Sequence, residues 1–446
     1  MHFAQYYLDC LSQASYLVGD ETTGRAVLVD PRRDVSEYVA DAEAAGLTIE
    51  LVIETHFHAD FLSGHLETAA ATGAQIGYSS VAETEFDSRA LEHGERISLG
   101  EVELEIRHTP GHTPESLSVV IWERSGDEVP YGVLTGDTMF IGDVGRPDLL
   151  VSVGYTREEL AATLFDSIHE QLLTLPDETK VFPGHGAGSA CGKSLSTATS
   201  STIGEQRATN RAILAGDRDA FVAMLTEGQP PAPKYFAYDA QRNRELRDLL
   251  DDDAPLAELS FDEVASAVAH GAVVVDARMP DAFVAGHLAG SVNVGIDGRF
   301  AETAGAVVPH DVDLVVVTDP GRELEARNRL ARIGFDRVIG WTAPDAGAAT
   351  ADRLVAGTDR IPEGVVLLDV RGPGEVESGT LDDATTIPLQ QLTDRLSELD
   401  PSEPTVVFCA GGYRSSVAAS VLRSAGFDDV TELAGGYGAW SGPITV

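Results

Sequence analysis

The chain has 446 residues, with 72 acidic against 31 basic side chains and a formal charge of −41. Hydrophobic residues make up 43% and charged residues 23%, so the low-hydrophobicity route to disorder is closed and the chain can bury cores. At about 100–200 residues per domain the length predicts two to four domains, and a surface this acidic disfavours nucleic acid and membranes as partners.

The acids are scattered rather than gathered in a tail, and only three lysines occur, Lys180, Lys193 and Lys234. Dispersed acid with scarce lysine resembles the proteins of salt-loving organisms that keep molar salt inside the cell, where the Debye length falls to about 3 Å and self-repulsion is screened. Met1 to Asp9 has neither a basic n-region nor an apolar h-region, and no run approaches a membrane span. A soluble, cytoplasmic protein is expected. Its cysteines, Cys10, Cys191 and Cys409, are odd in number and far apart, which argues against a disulfide framework.

Residues 1 to 250 alternate short apolar strands with Gly-rich turns and a few helices. Four strand-like runs end on His or Asp. Glu50 to Glu54 leads into Thr55-His56-Phe57-His58-Ala59-Asp60-Phe61, and Val102 to Ile106 leads to Gly111-His112. Tyr131 to Leu134 leads to Gly136-Asp137, and Lys180 to Phe182 leads to Gly184-His185. Strands laid side by side bring such loops to one sheet edge, where open α/β sheets hold ligands. A Pro-rich stretch from Gln229 to Pro233, with Pro230 inside it, precedes an Arg-rich helix predicted over Gln241 to Leu250; Asp251 to Pro255 is predicted as a linker.

After the linker the sequence repeats itself. Val273 to Arg278 with Gly286-His287-Leu288 matches Val366 to Arg371 with Gly379-Thr380-Leu381 at an offset of 93, and Arg322 to Phe335 matches Arg414 to Phe427 at 92. Strands alternating with helices in each copy imply parallel sheets. In the second copy Cys409 follows the strand Val406-Val407-Phe408 and heads a helix, in Cys409-Ala410-Gly411-Gly412-Tyr413-Arg414. Converging backbone N–H groups and the positive helix end stabilise a thiolate there, and Arg414 adds positive charge. The first copy keeps Asp276, Arg278, Gly286, His287 and Gly334 but reads Thr318-Asp319-Pro320-Gly321-Arg322 at the loop. Without a cysteine it cannot form a cysteine persulfide.

The four strand-end motifs resemble those of the metallo-β-lactamase superfamily, an αββα sandwich that carries metal on strand-end loops. Its hydrolase branch reads His-x-His-x-Asp-His and holds two zinc ions. Here the last position is Phe61, whose ring has no lone pair, so a second metal is left with Asp60 and His185 and one ion is expected. Thr55 to Phe61, Gly111-His112-Thr113-Pro114 and Gly136-Asp137-Thr138 through Gly145-Arg146 resemble instead the persulfide dioxygenase branch, in particular its rhodanese-fused members.

That resemblance implies Fe(II), one per chain, on His56, His112 and Asp137, with Zn the alternative. Two imidazoles and a carboxylate form a facial triad with open positions for substrate sulfur, O₂ or water. His58, Asp60 and His185 then orient the ligands and tune the iron, with His58 as a direct ligand the alternative. Arg146 is expected either to hold a carboxylate of the thiol substrate or to form a surface salt bridge. Cys191 is expected to line the substrate entrance, to carry a sulfane sulfur, or to be a packed cysteine; Cys10 is read as structural.

Cys409 to Arg414 resembles the six-residue rhodanese loop Cys-x-x-Gly-x-Arg, backed by Asp369-Val370-Arg371 and by Gly435 to Trp440. The expected architecture is an αββα sandwich over residues 1–250 followed by two rhodanese-like α/β modules with parallel sheets. The first, over 256–345, is degenerate; the second, over 361–446, carries catalytic Cys409 and Arg414. The implied activity is oxidation of a low-molecular-weight thiol persulfide with O₂ to sulfite, coupled to sulfur transfer that forms or uses thiosulfate in sulfide detoxification. Alternatives are a zinc hydroxyacylglutathione hydrolase fused to a sulfurtransferase and a non-catalytic persulfide sensor or carrier. Relatives of this branch often associate, which implies a homo-oligomer.

Overall fold

Strands with alternating apolar faces build the first unit, Met1–Asp252, as two six-stranded sheets. The first sheet runs in chain order: β1 (His2–Leu8), β2 (Gln13–Asp20), β3 (Arg25–Val29), β4 (Thr48–Ile53), β5 (Gln75–Ser79) and β6 (Arg89–Leu91). The second comprises β7 (Arg96–Ser98), β8 (Glu103–His108), β9 (Leu117–Trp122), β10 (Gly132–Gly136), β11 (Lys180–Pro183) and β12 (Ser201–Thr202), likewise neighbours in sequence order. The computed structural model describes residues 1–149, 154–193, 195–229, 231–344, 351, 353–355, 360–442 and 444–445. Pro230 of the proline-rich stretch, Asp345 at the end of the first repeat and Val446 lie outside the described residues.

Successive side chains on a strand point to opposite faces, and that period decides the layers. In β2 and β9, Tyr16, Val18, Leu117, Val119 and Ile121 face the space between the sheets. Leu17 and Leu28 face α1 (Ser36–Ala44) with Tyr38 and Ala42, and Val52 and Ile76 face α2 (His65–Thr72) with Leu66. On the far side Val120, Val133 and Val181 pack under α3 (Arg157–Ser167), α4 (Ile203–Thr209) and α5 (Arg218–Thr226). The result is the αββα sandwich. In the second sheet β9 is antiparallel to both β8 and β10, and β11 is parallel to β10, so β8, β10 and β11 all end at one edge.

The helix expected over Gln241 to Leu250 lies elsewhere. α6 spans Tyr235–Arg242, and residues 243–250 are not helical. Their polar groups pair across to the sandwich instead of along a helix: Leu250 N–H donates to Glu67 at 3.1 Å and the Asp248 carbonyl accepts from Arg33 at 3.1 Å. No described helix is long and apolar enough to cross a membrane.

The second unit, Asp253–Val446, holds the two sequence repeats. The first repeat contains α7 (Phe261–Ala269), β13 (Val273–Asp276), α8 (Pro280–Ala285), β14 (Val292–Asn293), α9 (Phe300–Val307), β15 (Leu314–Val317), α10 (Glu323–Ala331) and β16 (Val338–Thr342). Its strands form a parallel sheet in the order β14-β13-β15-β16.

The second repeat contains β17 (Arg353–Val355), β18 (Val366–Asp369), α11 (Pro373–Val376), β19 (Thr380–Leu381), β20 (Thr385–Thr386), α12 (Leu389–Arg395), β21 (Thr405–Phe408), α13 (Tyr413–Ser424), β22 (Val430–Ala434), α14 (Gly436–Ala439) and β23 (Ile444–Thr445). Its main sheet is parallel in the order β17-β22-β21-β18-β20. Eight consecutive residues of α13, Ser415 to Leu422, are buried, because the helix lies against its own sheet and against β14 of the first repeat. Ser416 Oγ donates to Asn293 Oδ1 and Asn293 N–H donates to Ser420 Oγ, each at 2.8 Å.

Candidate active site

The loops after β4, β8, β10 and β11 bring His56, His112, Asp137 and His185 together. His56, His112 and Asp137 offer ligand atoms within 4.8 Å of one another, all buried. The partners of each side chain decide which atom faces inward. Thr55 Oγ1 donates to Asp30 Oδ2 at 2.8 Å, so it accepts the Nδ1 proton of His56 at 3.0 Å and leaves Nε2 with the lone pair. His112 Nδ1 donates to the Arg146 carbonyl at 2.8 Å, which fixes the same tautomer.

Asp137 Oδ1 accepts from His185 Nδ1 at 2.7 Å. Its Oδ2 is buried without a hydrogen bond and faces His56 Nε2 at 3.9 Å and His112 Nε2 at 3.6 Å. An orphaned carboxylate oxygen opposite two lone-pair nitrogens fits a divalent cation. The protonation states agree with that. Burial, with His58 and His112 adding to it, holds the His56 imidazole well below its ordinary value, and burial likewise lowers His112. Burial pushes the Asp137 carboxyl up, but His185, then His56 and His112, outweigh it and keep it ionised.

Beside this set lies a second buried group, His58, Asp60 and His185, whose ligand atoms also fall within 4.8 Å of one another and which contains an ion pair. His185 Nε2 lies 2.7 Å from Asp60 Oδ2, while Nδ1 holds Asp137. Burial opposes charge on His185, yet Asp137 and Asp60 overcome it and raise its pKa well above the ordinary value. Phe61, fully buried, packs its ring 4.3 Å from His58 and 6.4 Å from His185. His58 Nε2 sits 3.2 Å from Asp30 Oδ1 and 3.6 Å from Glu54 Oε2, so one of its nitrogens faces carboxylates outside the His56 group.

Of the two expectations for Arg146, the structure shows the salt bridge, with the arginine itself buried rather than at the surface. Its guanidinium is buried, and Nε and Nη2 each donate to Asp148 at 2.7 Å while Nη1 reaches the Ala190 carbonyl. Asp148, the partner, is half-buried, and the backbone carbonyl of Arg146 serves the site through His112. Cys191 is buried too, its ligand atom within 4.8 Å of those of Asp137 and His185, and burial with the nearby Asp60 and Asp137 charges raises its thiol well above the ordinary value. Cys10, Cys191 and Cys409 are all free thiols.

Sequence reasoning passed over four residues of this site. Asp30 ends β3 as Asp137 ends β10, so the strand-end acid was a usable signal; at φ 49° it accepts both Thr55 N–H and Thr55 Oγ1. Glu54 lies beside His58. Glu115 accepts Phe57 N–H at 3.0 Å and Asn243 bonds the loop after β4, but these partners stand 58 and more than 180 residues away, with no local pattern to mark them.

In the second unit Cys409 is buried, and its Sγ accepts Gly412 N–H at 3.1 Å. Gly412 has φ 102°, a conformation that L side chains rarely adopt. Tyr437 N–H and Gly438 N–H close the loop on the carbonyls of Cys409 and Ala410, and a Cβ on Gly436 would strike the Cys409 carbonyl. Arg414 does not stand as an isolated positive charge: Nη1 and Nη2 donate to Glu375 at 2.6 and 2.7 Å. Tyr413 Oη donates to the Gly295 carbonyl of the first repeat at 2.7 Å.

Residues 8–185 match the metallo-beta-lactamase superfamily. The structure of a metallo-beta-lactamase from Staphylococcus aureus subsp. aureus COL is 34% identical with a TM-score of 0.70, covering 77% of this chain and 99% of that one. The chain belongs to the metallo-β-lactamase superfamily. Its second unit consists of two rhodanese-like domains, matched over residues 260–340 and 351–443. The mitochondrial persulfide dioxygenase of Bos taurus is 29% identical over 231 residues, 51% of this chain and 82% of that protein. A hydroxyacylglutathione hydrolase of Polaromonas is 35% identical over 174 residues, 38% of this chain and 61% of that protein.

The tight backbone around the superfamily site yields a test. A Cβ on Gly145 would fall on the Asp137 carbonyl and 2.9 Å from His112 Nδ1. Gly145→Ala is therefore expected to weaken metal retention about 10–100-fold, the usual effect of disturbing groups that orient ligands. Metal per chain after dialysis against graded chelator measures it.

Proposed function

We propose that the first unit is a mononuclear Fe(II) dioxygenase that oxidises a low-molecular-weight thiol persulfide, and that Cys409 exchanges sulfane sulfur with its product. The observation that carries this is the orphaned Asp137 Oδ2 facing His56 Nε2 and His112 Nε2, with Phe61 and the Asp60–His185 ion pair beside that ligand set. Similarity to the persulfide dioxygenase of Bos taurus supports the same substrate class.

The overall step is RSSH + O₂ + H₂O → RSH + SO₃²⁻ + 2 H⁺, in which the sulfane sulfur loses four electrons and O₂ gains them. The bound iron supplies this redox chemistry. The chain's residues do the rest: Thr55 and the Arg146 carbonyl aim the two Nε2 atoms, His185 leaves Asp137 a single oxygen to offer, and its proton balances Asp60. At the second site the Cys409 thiolate takes the outer sulfur of a thiol persulfide, forming Cys409–S–SH as RSH leaves. Transfer to sulfite then gives thiosulfate and regenerates the thiol; the reverse direction supplies persulfide. Tethering both sites on one chain raises their effective concentration. The protein is further held to be adapted to high salt, on the ground of its −41 charge and scarce lysine; a cytoplasmic location, and a homo-oligomer as the resemblance implies, go with this reading.

Similarity to hydroxyacylglutathione hydrolase favours a second reading, a zinc thioesterase fused to a sulfurtransferase. Metal analysis of chelator-free protein together with an oxygen-electrode trace separates the two. About one iron per chain and O₂ uptake on adding glutathione persulfide is the expected result; two zinc ions and no uptake would overturn the proposal, and iron without uptake would leave a sensor or carrier. Cys409→Ser is expected to keep O₂ uptake while the product shifts from thiosulfate to sulfite, read by ion chromatography; an unchanged ratio removes the coupling. Turnover is expected to rise with KCl toward molar concentrations, and a maximum at low salt would refute the halophilic part alone.

A further inference from the structure

The loop from Glu54 to Gly64, which carries His56, His58, Asp60 and Phe61, has no helix and no named strand of its own. Its buried N–H and C=O groups therefore need partners from elsewhere. One segment beyond the superfamily match, which ends at residue 185, supplies a large share of them. Asn243, directly after α6, donates through Nδ2 to the carbonyls of His58 and Phe61, each at 2.8 Å, and accepts Ser63 N–H at 2.9 Å through Oδ1. Arg247 donates to the Ser63 carbonyl and to both oxygens of Glu67, and Arg33 and Leu250 N–H close on the same Glu67. Asn243, Arg247, Glu67 and Arg33 are all buried.

We infer that residues 243–250 are a strap that holds the metal loop in its ligating shape, with Asn243 as its positioning residue. This rests on the reading of His56, His112 and Asp137 as the metal site. Asn243 touches none of the three. It grips the backbone on either side of Ala59-Asp60, and Asp60 is the residue that holds His185 against Asp137. Freeing the His58 and Phe61 carbonyls loosens that turn, and with it both the direction of His56 and the oxygen that Asp137 presents. Packing alone does not account for the choice of residue, because a leucine of similar volume would leave three buried backbone groups without partners. The strap also runs to the edge of the unit at Asp252, so the metal loop is anchored by the last stretch of chain before the sulfurtransferase unit.

The test uses the whole 446-residue chain and Co(II) as the probe, titrated anaerobically into the metal-free wild type, Asn243→Ala, and Gln241→Ala as an exposed control two residues earlier, in α6. Asn243→Ala is expected to bind Co(II) about 10–100-fold more weakly, with altered d–d bands. Amide exchange over residues 56–64 should be faster while β8 to β11 stay protected; the control should match wild type. Should Asn243→Ala not fold, Asn243→Asp takes its place, keeping the acceptor for Ser63 and losing both donors. A folded Asn243 variant with wild-type affinity and spectrum, even at a lower Tm, overturns the strap. A wild type that binds no Co(II) overturns the metal site itself, a separate and distinguishable failure.

Discussion

Asp137 has one oxygen to give because His185 takes the other, and Asp137 with Asp60 on the far side of the ring raises the His185 pKa well above its ordinary value. That buried carboxylate–imidazolium–carboxylate row constrains everything around it. Each buried charge costs several kcal/mol unless it is matched, so removing any one member strands the others. The row engages two of the three ligand atoms that His58, Asp60 and His185 bring within 4.8 Å of one another. Phe61 offers a ring where a histidine would offer a lone pair. The same logic reaches outward through Thr55 to Asp30, whose αL backbone is tolerated because its carboxylate takes two hydrogen bonds from Thr55.

The two repeats of the second unit share a frame and differ in what it carries. Asp276 grips Arg278 as Asp369 grips Arg371, and both arginines also reach the carbonyl that follows the next helix, Gly286 or Gly379. Only the second copy bends a loop around a sulfur, with Gly412 and Gly436 in left-handed conformations. The first copy has Asp319 and Pro320 there, yet it is not idle: Asn293 binds two serines of α13, and Gly295 and Gly298 leave room for Tyr413. A helix buried on all sides keeps its N-terminal loop in place. The degenerate copy is thus half of the mould around the cysteine loop.

A surface with a charge of −41 repels persulfide, sulfite and thiosulfate alike. Arg146 and Arg414, the arginines beside the two sites, are paired with Asp148 and Glu375. An anion at Cys409 meets, besides the paired Arg414, fixed backbone polarity such as the Gly412 N–H, which salt screens far less than it screens the exposed acids.

Much of this was legible in the sequence. Strand-end His and Asp, the 93-residue repeat and Cys409 with its glycines are local patterns, and local patterns follow from strand period, turn chemistry and helix ends. What stayed hidden are pairings between distant segments: His185 across two carboxylates, the Arg146 carbonyl on His112, and Asn243 on a loop 182 residues earlier. The Arg-rich run after Arg242 was expected to coil into a helix, and coils nowhere, because its donors find partners on the sandwich that its sequence does not contain. The sequence by itself determined which chemistry-bearing residues exist and which strand ends present them. Only the tertiary structure decided which atom of each is free, since a buried polar group's remaining valence depends on every neighbour it meets, and those neighbours come from the whole chain.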